Sequence, residues 1–270
     1  MSRIAGTILL AALALVLTAG SGSAQRAPAR RAVAPQSPGL HRTQARRPLR
    51  LHETCITREE RRGTLRFRAS DGVRLIGVVL GSGPRAVILA HQGGAPPNLC
   101  GWVPYARTLA AGGYRVLVFD HRGYGSSGNA SRSTRVIRVD YDVLGAIRAM
   151  RAQGATSIVL AGASLGAGAV LSAAPRATPP VNGVISLSSP TRLTRINVLK
   201  AVRTLRAPAL FVASDGDSPF EEQAQQLSAA CPSPEKRLMI VTGYEHGWEL
   251  LLDPQVRATV DGFIARHSSS

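Results

Sequence analysis

Aromatic side chains are scarce in this chain, only 4% of 270 residues, and none is interleaved with a basic cluster. Nucleic-acid modules stack bases on aromatics beside cations, so no nucleic-acid partner is expected. Cysteine is scarce too, limited to Cys55, Cys100 and Cys231. No His and Cys group has metal-ligand spacing, and no metal or other cofactor is expected. Long apolar runs are missing. The N-terminal run Ile8–Leu17 has about ten residues, too few to span a bilayer permanently. Acids are outnumbered, 16 against 33 basic residues, which leaves a net charge of +17. All but two of the basic residues (Lys200 and Lys236) are arginine.

What the N-terminus does have reads as an export signal. Arg3 supplies a positive start, the apolar run follows, and Gly22-Ser23-Ala24 offers a cleavage site after Ala24. Residues 1–24 are therefore expected to be a signal peptide and the protein to be secreted. Residues 25–52 are rich in Pro, Ala and Arg without apolar period, the composition of a disordered linker. Residues 1–50 hold eight arginines and no acid, so this linker is expected to be weakly attracted to anionic surfaces. Export makes one disulfide plausible. Three pairings are possible; Cys55–Cys100 is preferred, because it would tie the start of the domain to the loop after its third strand. Free buried thiols are the alternative.

Residues 53–268 read as one α/β domain, expected to be monomeric. Short apolar or alternating runs at 65–69, 73–80, 86–90, 114–119, 157–161, 184–187, 209–213 and 238–241 read as strands. Helical patterns fall at 105–111, 136–150, 167–174, 221–230 and 256–266, with a basic helical crossover at 191–205. Alternating strands and helices imply a mostly parallel sheet covered on both faces. In such a sheet, residues just past the strand C-termini converge on one crevice. His91, Asp120, Ser164, Asp217 and His246 all fall there.

The stretch Thr156–Ala174 carries the sharpest motif. Gly162-Ala163-Ser164-Leu165-Gly166 matches G-x-S-x-G between a strand and a helix. A turn that abrupt strains its central residue and leaves room only for glycine beside it. The serine oxygen is thereby raised at a helix N-terminus, where negative charge is favoured.

The order Ser164, Asp215/Asp217, His246 resembles the triad order of α/β-hydrolases. The segments around His91, Asp120-x-Arg122-Gly123-x-Gly125-x-Ser127 and Glu245-His246-Gly247 are similar to that superfamily's strand-end motifs. The resemblance covers residues 60–266. It is nearest to single-domain serine hydrolases of dienelactone-hydrolase-like and S33-peptidase-like type. Dienelactone hydrolases proper use a cysteine, and Ser164 departs from that.

The resemblance implies Ser164 as nucleophile, His246 as base and Asp217, preferred over Asp215, as the acid that orients it. One oxyanion donor would be the Leu165 N–H. The other would come from Gly93, or from Gln92, which stands where the family has its first glycine. Asp120, His121 and Arg122 are expected to brace a turn. Trp102, Tyr124, Phe220 and Trp248 flank the site in sequence and are expected to line the pocket. The short connection between 187 and 209 leaves no room for a sizeable lid, which disfavours long-chain lipids and admits small esters or an exposed polymer end. The leading expectation is a serine esterase acting on a small-molecule ester through an acyl-enzyme. A peptidase or amidase with the same triad is the first alternative, and a non-catalytic binding protein on the same scaffold is the second.

Overall fold

The computed structural model describes residues 48–129 and 138–268. The expected signal segment, most of the expected linker and Val136 lie outside the described residues.

The chain first forms a hairpin, β1 (Thr64–Arg68) and β2 (Arg74–Leu80), with Phe67 opposite Leu75. Then follow β3 (Arg85–Ala90), α1 (Val103–Ala111), β4 (Arg115–Phe119), α2 (Val139–Ala152), β5 (Ser157–Ala163) and α3 (Leu165–Ala173). After β6 (Gly183–Leu187) come two short strands, β7 (Arg192–Leu193) and β8 (Ile196–Asn197), and then α4 (Val198–Val202). The chain closes with β9 (Ala209–Ser214), α5 (Phe220–Ala230), β10 (Lys236–Val241) and α6 (Pro254–His267).

Eight strands form one sheet in the order β1-β2-β4-β3-β5-β6-β9-β10. β1, β2 and β4 pair antiparallel, and every pair from β4 to β10 is parallel. The inner parallel strands β3, β5, β6 and β9 are apolar on both faces because helices cover both, whereas the edge strand β10 exposes Lys236 and Arg237. In β3, Ala86, Ile88 and Ala90 pack toward α2 and α3, whereas Val87 and Leu89 pack toward α1 and α6. Each fully buried Leu or Ile in these layers stabilises the fold by about 1.5–3 kcal/mol.

The connection between β6 and β9 differs from the expected helix. Leu193 and Ile196 pair across a tight turn, and only Val198–Val202 is helical, capped by Asn197 Oδ1 accepting from the Lys200 N–H at 2.8 Å. The cause is packing: Leu193 lies against Gly168 of α3, where even a Cβ would stand 2.7 Å from its side chain. The connection holds no sizeable lid.

The domain is fastened at its start. Arg61 donates to the Leu51 carbonyl at 2.6 Å, and Arg66 to that of Leu49 at 2.6 Å. Cys55 and Cys100 are joined by a disulfide with Cα atoms 5.7 Å apart, and Cys231 is a buried free thiol. No described helix is long and apolar enough to cross a membrane.

Candidate active site

Ser164 sits at the junction of β5 and α3 with φ 48° and ψ −110°. A side chain with a Cβ rarely adopts a positive φ, and here the strand pairing and the helix start impose it. Two glycines make the turn possible. A Cβ at Gly162 would lie 2.3 Å from the Gly166 carbonyl oxygen, and one at Gly166 would lie 2.1 Å from that of Ala90. The Ser164 N–H donates to Leu187 O on β6 at 2.8 Å, and its hydroxyl is not used to cap α3. Leu165 opens the helix, whose first N–H groups have no partner within it.

His246 follows β10. Its Nδ1 lies 2.8 Å from Asp217 Oδ2 and 3.1 Å from Oδ1. A carboxylate only accepts, so Nδ1 carries a proton, and in the neutral ring this leaves the lone pair on Nε2. Asp217 comes from the loop after β9, held where its N–H meets Ser214 O and its carbonyl accepts from the Phe220 N–H at 2.7 Å. The Phe220 ring packs on the imidazole at 4.4 Å between centroids. Asp215 is occupied elsewhere: its Oδ1 accepts from the Gly243 N–H at 3.0 Å.

The loop after β3 lies beside the elbow. A Cβ on Gly93 would be 3.6 Å from the Leu165 side chain and 3.4 Å from the Tyr124 hydroxyl. His91 fixes this loop: its Nδ1 bonds to Gln92 O at 2.6 Å, and its Nε2 accepts from the His121 N–H at 2.9 Å. The imidazole is thus neutral with the proton on Nδ1. Burial, and then the neighbouring His121, push its pKa down to about 3.

The residues after β4 brace the turn. Arg122 bonds to Asp142 through Nε at 2.8 Å and to Asp71 through Nη1 at 2.7 Å. Asp120 accepts from the Leu99 N–H at 2.9 Å and the Ser126 N–H at 2.8 Å. Burial, and then the adjacent Glu53, push Asp120 up to about 8.

Of the aromatics expected at the pocket, Tyr124 and Phe220 touch the loops just described. Trp102 does not line a crevice. It is 1% exposed in the core, its indole N–H donating to Ala90 O at 3.0 Å. Its size and the sheet's apolar face outweigh its nearness in sequence to the site. Trp248 is half-buried, its indole nitrogen packed close against Gly101.

Three contacts to the histidine loop escaped the sequence reading, one of them made by Gln92, expected only as an oxyanion donor. The Ser214 hydroxyl donates to Glu245 O at 3.0 Å, Ser188 Oγ accepts from the Gly247 N–H at 3.1 Å, and Gln92 Oε1 accepts from the Trp248 N–H at 3.2 Å. They come from the ends of β9, β6 and β3 and hold the histidine loop from three directions. Among the described residues no group of three or more His, Cys, Asp or Glu could hold a metal ion.

Comparison with known proteins fits this architecture. Among solved structures, an esterase from Pyrococcus furiosus superposes with a TM-score of 0.64 at 18% identity, over 76% of this chain and 92% of that one. The esterase domain of a Rhodothermus marinus protein gives 0.59 at 24% identity, over 76% and 99%. A monoacylglycerol lipase from Paleococcus ferrophilus gives 0.57 at 19% identity, over 71% and 98%. At such identities the likeness is one of fold. No curated protein matches the sequence. The family described as alpha/beta hydrolase fold matches residues 85–248, more than half of the sequence, from β3 to just past His246. The chain belongs to the alpha/beta hydrolase fold family.

Proposed function

We propose that this protein is a serine hydrolase that cleaves carboxylic esters. The observation that carries the reading is the Asp217–His246 pair, 2.8 Å apart, on loops beside a strained Ser164 elbow. Asp217 holds the imidazole in the tautomer whose Nε2 is a base. Nε2 takes the Ser164 proton as Oγ attacks the ester carbonyl. The N–H groups of Leu165 and Gly93 receive the oxyanion. Collapse of the tetrahedral adduct breaks the ester C–O bond, and His246 returns the proton to the leaving alcohol. Water, activated by the same imidazole, then splits the acyl-serine and regenerates the enzyme. The esterases and the lipase among the structural neighbours support ester over amide as the bond cleaved. The short β6–β9 connection supports an open crevice for small substrates.

The Cys55–Cys100 disulfide supports an oxidising compartment, and with the N-terminal signal pattern a secreted enzyme. The experiment is hydrolysis of short-chain p-nitrophenyl esters by the parent and by Ser164→Ala. Turnover that vanishes in a folded Ser164→Ala protein is expected. Equal rates in the two would overturn the reading, as would failure of the parent to react with a fluorophosphonate.

A further inference from the structure

Gln92 is buried at the end of β3, only 5% exposed. We propose that Gln92 is a positioning residue whose side-chain carbonyl locks the His246 loop to the oxyanion loop. The catalytic part of this inference rests on the hydrolase reading above; the structural tie does not.

The main chain of Gln92 is fixed first. Its carbonyl accepts from His91 Nδ1 at 2.6 Å, and His91 is itself fixed through Nε2 to the His121 N–H at 2.9 Å. The residue's backbone is therefore anchored to β4, the strand beside its own. Its side chain reaches the other way. Oε1 accepts from the Trp248 N–H at 3.2 Å, across 156 residues of sequence. Oε1 also presses on Gly247, where a Cβ would stand 2.1 Å from it. Gly247 has φ +65°, so glycine serves that position twice, in conformation and in clearance.

The consequence follows from where the two ends lie. Gln92 is bonded in sequence to Gly93, which packs beside Leu165 at the helix start. Trp248 is two residues past His246. One side chain thus sets the spacing between the proposed oxyanion donor and the proposed base. Ser188 and Ser214 hold the same loop, but from β6 and β9. A glycine at 92 would leave the half-buried Trp248 N–H without this acceptor and the two loops untied.

The test compares the parent with Gln92→Met, which keeps length and loses the acceptor, and Gln92→Glu, which keeps shape and acceptor. Two quantities are read: the kcat and KM for a p-nitrophenyl ester, and the hydrogen-exchange rate of the Trp248 amide. For Gln92→Met, kcat is expected to fall roughly 10- to 100-fold with KM within about twofold, as misplacement of a catalytic group does. Its Trp248 amide is expected to exchange at least roughly tenfold faster, while Gln92→Glu keeps parental protection. A Gln92→Met protein with parental kcat and parental exchange overturns the proposal. So does one whose kcat falls while exchange stays parental, because Gln92 would then act on the reacting atoms directly. If the parent itself lacks Ser164-dependent turnover, the hydrolase reading fails, and Trp248 exchange alone still decides whether Gln92 fixes the loop.

Discussion

His246 and Asp217 are paired through Nδ1, at 2.8 Å, while Asp215, two residues earlier, bonds to the main chain of Gly243. The two aspartates share a loop yet differ in task. One orients the ring; the other closes the turn between the ends of β9 and β10.

This difference predicts opposite outcomes for the same substitution. Asp217→Asn replaces an acceptor-only group with one that can present an N–H to Nδ1, which favours the wrong tautomer. The kcat is expected to fall by on the order of 10³- to 10⁴-fold. Asp215→Asn keeps an oxygen for the Gly243 N–H and is expected to stay within a few-fold of the parent. Steady-state kinetics on both variants decides it; an Asp215→Asn enzyme crippled more than Asp217→Asn would reverse the assignment.

The contrast shows what the sequence makes legible. The glycines around Ser164 are local requirements, so strand, turn and helix can be read there without any tertiary knowledge. The apolar runs of β3, β5 and β9 are equally local, and their positions agree with the sheet to within a residue or two. What sequence does not carry is contact across the sheet. The ties from Ser188, Ser214 and Gln92 to the histidine loop span 59, 31 and 156 residues, and serine or glutamine at a strand end carries no pattern that names its partner. Trp102 shows the same limit, since nearness in sequence to a site loop does not say which face of a helix start meets the core. The β7–β8 turn escaped because Leu193 and Ile196, three residues apart, fit a helical period as well as a two-residue hairpin.

Arg122 offers a stability prediction. Its side chain is 3% exposed, between Asp142, 0% exposed, and Asp71. Removing a buried partner leaves an uncompensated charge, which costs more than the pair itself contributes. Arg122→Met is expected to lose about 3–5 kcal/mol of unfolding free energy. Urea denaturation followed by circular dichroism measures it, and an unchanged midpoint would show that Asp142 is solvated or paired without Arg122.

A pH dependence follows from Asp120 and Glu53. Burial and then the Glu53 carboxyl raise Asp120 from 3.8 to about 8. The folded protein therefore keeps a proton that the unfolded chain releases near 3.8. That stabilisation is full below this pH and is lost as pH rises toward about 8. His91 works the other way: its folded pKa, about 3, lies below its ordinary 6.5, so its contribution is lost as pH falls. Comparing variants cancels the histidine, which both proteins share. Glu53→Gln can donate to Asp120 and lets it ionise more readily. Between pH 5 and about 8 the melting temperature of Glu53→Gln is expected to fall less than that of the parent. Parallel curves would mean that Asp120 titrates without regard to Glu53.

The disulfide makes the last prediction. Cys55 and Cys100 are 45 residues apart, and closing a loop of that length restricts the unfolded chain by about 4 kcal/mol in the chain-entropy account. The bridge also secures the domain's first residues, where Arg107 bonds to Cys55 O at 2.8 Å and the Leu99 N–H bonds to Asp120. These contacts persist without the sulfur bond, so the fold is expected to survive its loss. Replacing both cysteines by serine is expected to lower the melting temperature by on the order of 10 °C, for a domain of this size. Dithiothreitol should lower the parent's melting temperature by a similar amount and leave the double variant untouched. A double variant that melts with the parent would show that the start of the domain is already held by Arg61, Arg66 and Arg107, and that the bridge adds little to them.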